Sequence, residues 1–240
     1  MPETALFISD LDGTLAGDQP ALNQFKEFLG RFSHRPELIY VTGRHVQSAR
    51  ELINHDGLPW PDVLITDIGT AIYRGPELTQ DPEWQQRMRH QWYPEAILGV
   101  ARDIDGLTVQ DLPDTQRVSF LAERPESVAV LEQHLRDAEL PHKLIYSADV
   151  YVDVLPQCAG KGNAVSYVLE GDASRNTNIL VAGDAGNDAE MLALGYPAVV
   201  VGNGNQELRA LGELSTIYWA SQTYAAGIQE GWEHHYGPPT

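Results

Sequence analysis

An apolar run, Ala5-Leu6-Phe7-Ile8, leads straight into Ser9-Asp10-Leu11-Asp12-Gly13-Thr14, so the pattern predicts a buried strand that ends on a pair of carboxylates. Residues 21–31 then space Leu22, Phe25, Phe28 and Leu29 as one face of a helix. Glu37–Val41 reads as a short buried strand ending at Thr42-Gly43-Arg44, residues 46–54 as a helix, and Val63–Thr66 as a third strand ending near Asp67-Ile68-Gly69-Thr70. Strands alternating with helices favour parallel pairing, because a parallel crossover needs room for a helix.

From about Gly75 the character changes. Trp84, Trp92 and Tyr93 lie in polar helical sequence broken by Pro76, Pro82 and Pro94. Residues 106–110 and 118–122 alternate as half-exposed strands, 127–138 read as a helix, and 143–146 and 151–155 as further strands. The first pattern resumes at Gly160-Lys161-Gly162, with a helix over 164–169 and a fully apolar strand over 178–182 that ends at Gly183-Asp184-Ala185-Gly186-Asn187-Asp188. A helix around Met191, Leu192 and Leu194, a buried strand over 198–201, a turn at Gly202-Asn203-Gly204-Asn205, a helix over 206–211 and a frayed tail, Gly237-Pro238-Pro239-Thr240, complete the pattern. The expected fold is α/β: a doubly wound, mostly parallel Rossmann-like sheet formed by residues 1–77 and 159–240, with a smaller α+β domain inserted over 78–158.

At 240 residues and 42% hydrophobic composition the chain can bury a sizeable core. No stretch approaches the roughly 18 apolar residues that read as a membrane span, and Met1-Pro2-Glu3-Thr4 lacks a basic leader, so a cytoplasmic protein is expected. A net charge of -18 excludes nucleic acid and anionic membrane as partners, while a local cation still admits an anionic substrate. The single cysteine, Cys158, excludes an internal disulfide and reads as a small, partly buried hydrophobe.

Side chains at i and i+2 share one face of a strand, so Asp10 and Asp12 crowd each other unless a cation or a shared proton separates them. A divalent metal and a phosphate explain the crowding and the Gly13-Thr14 turn behind it; taken alone, the segment also fits an Asp-rich turn capped by Asp10 or Thr14. Ligands of open parallel sheets bind beyond the carboxyl ends of the strands. Three motifs converge there: Asp10/Asp12/Thr14, Thr42/Gly43/Arg44 and Asp184/Asn187/Asp188, with Lys161 at the mouth of a helix. Each alone reads as a turn, a solvated lysine or a helix entry, but independent caps would not all fall at strand ends of one alternation.

The ordered set Asp-x-Asp-Gly-Thr, Thr-Gly-Arg, Lys-Gly-Asn and Gly-Asp-x-Gly-Asn-Asp resembles the haloacid-dehalogenase-like phosphatases over essentially the whole chain, and the insert is similar to their larger α/β cap. Ile8-Ser9-Asp10-Leu11-Asp12-Gly13-Thr14, Ser48-Ala49-Arg50-Glu51-Leu52, Val152-Asp153-Val154-Leu155-Pro156, Lys161-Gly162-Asn163-Ala164 and Val201-Gly202-Asn203 most resemble the sucrose-phosphate and mannosylfructose-phosphate phosphatases. The stretch Ile68-Gly69-Thr70-Ala71-Ile72-Tyr73 resembles their Gly-Thr/Ser-Glu loop, with Ala71 in place of an acidic residue.

The resemblance implies magnesium-dependent hydrolysis of a sugar phosphate, sucrose 6-phosphate or mannosylfructose phosphate, through a covalent aspartyl-phosphate on Asp10, with Asp12 carrying protons. It implies Mg2+ held by the Asp10 carboxylate, the Asp12 carbonyl and Asp184, with Asp188 beside or behind them. Thr14, Thr42, Gly43, Arg44, Lys161, Asn187 and the amides of residues 11–13 are then the candidates for holding phosphate and substrate. Arg44 either touches substrate or supports its loop through an ion pair; Trp84 and Trp92 either stack on sugar or fill the insert's core. The histidines show no metal-ligand spacing apart from the adjacent tail pair and read as surface residues. A phosphomannomutase-like phosphotransferase and a non-catalytic sugar-phosphate-binding module are the alternative functions, and a glycosyltransferase that makes the sugar phosphate is the protein partner the resemblance admits.

Overall fold

A computed structural model of the chain describes residues 4–170, 177–212 and 214–239. The chain starts with β1 (Thr4–Ser9), α1 (Gln19–Leu29), β2 (Glu37–Val41), α2 (Val46–Asp56) and β3 (Val63–Thr66), then turns back through β4 (Ala71–Arg74) and β5 (Thr79–Gln80) into α3 (Pro82–Arg89). A second unit follows: α4 (Pro94–Ala101), β6 (Leu107–Val109), β7 (Val118–Ala122), α5 (Pro125–Asp137), β8 (Lys143–Ser147) and β9 (Tyr151–Leu155). The first architecture resumes with α6 (Lys161–Glu170), β10 (Thr177–Gly183), α7 (Ala189–Leu192), β11 (Ala198–Val200), β12 (Ile217–Trp219) and α8 (Tyr224–Tyr236).

Among the described residues, the larger sheet has eight strands in the order β12-β11-β10-β1-β2-β3-β4-β5, all parallel except β4 and β5. The smaller sheet is antiparallel, β6-β7-β9-β8, with α4 and α5 packed on one face around Phe120, Leu131 and Val152. The fold is therefore the expected α/β one with a mostly parallel sheet. β1 is buried from its second residue on because it lies between β10 and β2 with a helical layer on each face, which is why its run is apolar rather than alternating. No helix among the described residues is long and apolar enough to cross a membrane.

The structure departs from the expected elements in several places. β5 and α3 lie beyond residue 77 yet belong to the larger sheet: β5 pairs with β4, and Trp84 and Met88 are buried with Ile68 and Ile72. Asp81 drives this, capping α3 by accepting from the amides of Glu83 and Trp84 and pairing with Arg74 of β4. Trp84 thus serves the main core and Trp92 the core of the smaller unit, where its indole donates to the Thr115 carbonyl. Residues 206–211 form a 3-10 turn rather than an α-helix, and Cys158 is exposed rather than partly buried, because it lies on the connection between β9 and α6. The terminal residue Thr240 of the expected frayed tail lies outside the described residues.

β12 and α8 go unannounced by the periodicity. α8 presents Ala225, Gly227, Ile228, Gly231 and Trp232 as its buried face, and glycines carry no apolar signal. They are there for contact: a Cβ on Gly231 would stand 2.6 Å from the Val199 Cβ. The close approach seats Trp232 against Phe7, ring centroids 4.7 Å apart, beside Phe25, Phe28 and Phe32. Gly231→Ala should therefore destabilise the protein despite alanine's better helix propensity, by about 1–3 kcal/mol of overpacking, read as a fall in melting temperature; an unchanged or raised melting temperature would contradict the packing.

Candidate active site

Five strand ends meet at one edge of the larger sheet. β1 sits between β10 and β2, so the loop carrying Asp10, Asp12 and Thr14 is flanked by Asp184 after β10 and Thr42 after β2, with Asp67 after β3 and Asn203 after β11 beyond them. Lys161 opens α6 beneath this edge and is 1% exposed. Its ammonium donates to Asp10 Oδ1 at 2.7 Å, Asp188 Oδ1 at 2.6 Å and Asn187 Oδ1 at 3.2 Å, which uses all its protons. Burial alone would push the ammonium's pKa down, but the Asp10 and Asp188 carboxylates outweigh it and hold the group firmly protonated.

Asp188 is committed on both oxygens. Oδ1 faces Lys161, and Oδ2 accepts from the amides of Asp184 and Ala185 at 3.0 and 3.1 Å, fixing the loop that carries Asp184. Asp184 Oδ1 accepts from the Thr14 hydroxyl at 2.6 Å. Thr14 is buried and spends its hydroxyl proton on Asp184, whose carboxylate it orients. Gly13, at φ +87°, makes the approach possible, because a Cβ there would stand 2.5 Å from Asp184 Oδ2. Among the described residues, Asp10 Oδ2 and Asp184 Oδ2 accept no hydrogen bond from the protein.

Burial, joined by repulsion from Asp188 and Asp184, raises the Asp10 pKa well above the carboxylate range even with Lys161 alongside. Burial, with Asp188 against it, pushes Asp184 up to about 6. Oxygens of Asp10, Asp184 and Asp188 lie within 4.8 Å of one another. Like charges this close ionise together only when a cation joins them, and an all-oxygen donor set with a free oxygen on Asp184 fits a hard divalent ion.

Arg44 grips Asp12 through both oxygens, Nε to Oδ2 and Nη2 to Oδ1, each at 2.7 Å, and braces on Ser48 Oγ at 2.9 Å. Of its two expected roles, the ion pair is the one formed. The buried Thr42 hydroxyl oxygen accepts the Arg44 amide at 3.1 Å, which shapes the tight Thr42-Gly43-Arg44 turn. Asp10, Asp184, Asn187, Asp188, Thr14 and Lys161 thus form one bonded group, Asp12 pairs with Arg44, and Thr42 and Gly43 stand at the neighbouring strand end.

Asn203 lies in a segment that the resemblance covers but to which it assigns no role. Its amide donates to the Gly13 carbonyl at 2.6 Å and accepts from the Tyr224 amide at 2.8 Å, tying the first motif to the start of α8. Its position after an apolar strand is the signal that marks it. Arg117, Asp67 and Asp153 form a further charged group where the smaller sheet meets the larger one, and no motif announces it because the three lie far apart in sequence.

The parallel sheet with carboxylates at its central strand ends defines a protein of the haloacid-dehalogenase fold. A haloacid-dehalogenase subclass IIB sugar phosphatase shares that fold at TM-score 0.67 and 14% identity, over 96% of this chain and 98% of that one. The sucrose-phosphatase of Synechocystis, solved in complex with sucrose and phosphate, aligns at TM-score 0.88 and 32% identity over 97% of this chain and 98% of that one. The chain belongs to the sucrose-6F-phosphate phosphohydrolase family, whose family model matches residues 3–236. Mannosylfructose-phosphate phosphatase of Agrobacterium fabrum is 28% identical over 98% of both chains. Glucosylglycerol-phosphate synthase of Pseudomonas anguilliseptica is 31% identical over 95% of this chain, which spans only 30% of that protein.

Replacing Lys161 by Met leaves Asp10 and Asp188 facing each other without a counter-charge. Loss of one partner from such a buried group costs about 3–5 kcal/mol, a fall in melting temperature of roughly 6–20 °C for a chain of this size. Thermal unfolding followed by circular dichroism checks it, and a fall below about 2 °C would mean that the pairing contributes little.

Proposed function

We propose that the protein hydrolyses the phosphate monoester of a sugar, with a disaccharide phosphate such as sucrose 6-phosphate as substrate, through a covalent aspartyl-phosphate on Asp10. The observation that carries this reading is the Asp10 carboxylate: buried at the central strand end, held by Lys161 on one oxygen and free on the other. The membership of the family and the sucrose-phosphatase and mannosylfructose-phosphate phosphatase relatives support the substrate class.

In the first step the free Asp10 oxygen attacks phosphorus, the bond from phosphorus to the sugar oxygen breaks, and Asp12 gives that oxygen its proton. In the second, water attacks phosphorus and passes a proton to Asp12 while the aspartyl-oxygen bond to phosphorus breaks, releasing inorganic phosphate. The Arg44 fork, on both Asp12 oxygens at 2.7 Å, holds that carboxyl in place for both transfers. The Thr42 hydroxyl and the amides of Leu11 and Asp12 hold the other phosphate oxygens, with the Lys161 charge behind them, since the transferred group spreads its charge over several oxygens. Asn187 bridges Lys161 and substrate.

Asp10, the Asp12 carbonyl and Asp184 would hold Mg2+, with Asp188 behind them, and the ion would neutralise charge on the phosphate and the carboxylates. The smaller sheet, within residues 78–158, serves as the cap domain over the sugar. A glycosyltransferase that joins a sugar to a phosphorylated acceptor is the proposed source of substrate, supported by the synthase of which a matching segment forms 30%.

Asp10→Asn should lower phosphate release from sucrose 6-phosphate by at least about 10³-fold; full activity in this variant would overturn the mechanism. The metal reading has a pH signature. Asp184, raised to about 6 from an ordinary value of 3.8, holds its proton more tightly folded than unfolded, so its contribution favours folding at low pH and is lost as pH rises through about 6. Asp184 would hold Mg2+ in its ionised form, giving up that proton. Added Mg2+ should therefore raise the melting temperature more at pH 7.5 than at pH 5, and equal increments at both pH values would contradict the assignment.

A further inference from the structure

We propose that Arg117 is a positioning residue for this reaction: from the smaller sheet, it sets the Thr42-Gly43-Arg44 turn and through it Asp12. Arg117 stands just before β7 with its side chain 12% exposed. Nη2 donates to the Gly43 carbonyl at 3.0 Å, Nη1 to Asp153 Oδ1 at 2.6 Å, and Nε lies 3.5 Å from Asp67 Oδ1. One planar fork thus touches the turn after β2, the loop after β3 and a strand of its own sheet, a reach that lysine's single ammonium does not reproduce.

The turn is held at each successive carbonyl. The Ile68 amide donates to the Thr42 carbonyl at 3.1 Å, Arg117 to that of Gly43, and the Asp67 amide to that of Arg44 at 2.9 Å. The loop supplying two of these bonds is strained: Asp67 and Ile68 both have left-handed backbones, φ 52° and 55°, which a β-branched residue rarely adopts. Asp67, buried and beside the Arg117 guanidinium, is the residue through which Arg117 also braces that loop. Asp153 in turn is fixed on its own sheet by the Ser119 hydroxyl. Displacing Gly43 moves Arg44, and Arg44 is what grips both oxygens of Asp12.

The inference rests on the proposed roles of Thr42 and Asp12, and the test separates the two. The full chain and its Arg117→Ala and Arg117→Lys variants are assayed with sucrose 6-phosphate and with p-nitrophenyl phosphate, which has no sugar. Misplacing catalytic groups by about 1 Å costs on the order of 10²-fold, so kcat should fall by about that factor for Arg117→Ala on both esters while KM stays within about threefold. Arg117→Lys should recover no more than about a tenth of the wild-type kcat, and it carries the same test if Arg117→Ala fails to fold. A rise in KM confined to sucrose 6-phosphate would make Arg117 a sugar contact and overturn the proposal, as would wild-type kcat in Arg117→Lys. A wild-type protein inactive on both esters would overturn the functional reading itself.

Discussion

Three carboxylates and one ammonium share a crevice with little water at the end of β1, and their charges can be reconciled in few ways. Lys161 meets Asp10 and Asp188 together, which neutralises one negative charge of two and leaves the cluster short of a further cation. Burial and the neighbouring carboxylates raise the Asp10 and Asp184 pKa values, so ionising the whole cluster calls for a further positive charge. The same shortage suits the crevice to a metal ion, and a bound metal would in turn favour a phosphate there. The chain's net charge of -18 is no obstacle to an anionic substrate, because Lys161 and a cation held by the cluster would set the sign of the local field.

Much of the remaining architecture serves to hold this cluster. The central place of β1 brings the loops after β10 and β2 to either side of Asp10. Gly13 lets the Asp184 carboxylate come close, Thr14 orients it, the Asp184 and Ala185 amides fix Asp188, and Asn203 anchors the Gly13 carbonyl to α8. The aromatic packing of Phe7 against Trp232 backs the strand from below. From above, Arg117 on the smaller sheet and Lys143, paired with Glu190, tie that unit to the rim of the site.

Legibility in the sequence follows the kind of force involved. The strands of the parallel sheet are buried on both faces, so β1, β2, β3 and β10 stand out as apolar runs, and the site residues follow directly at their ends. α8 is hidden because its contact face is built on Gly227 and Gly231, and β5 and α3 are hidden because a hairpin and an Asp81 cap, rather than periodicity, return the chain to the sheet. Pairings across large sequence separation, such as Arg44 with Asp12 and Arg117 with Gly43, leave no local pattern, and Thr14 shows that a motif can place a residue at a site while leaving open which partner it takes.

In the proposed reaction a carboxylate oxygen of Asp10 receives the phosphoryl group. Rapid acid quench of the protein during turnover of sucrose 6-phosphate labelled in its phosphate, followed by peptide mapping, reads this directly. The account predicts a labelled, hydroxylamine-sensitive acyl phosphate on the peptide containing Asp10; turnover with no protein-bound label, or label on another residue, would contradict it.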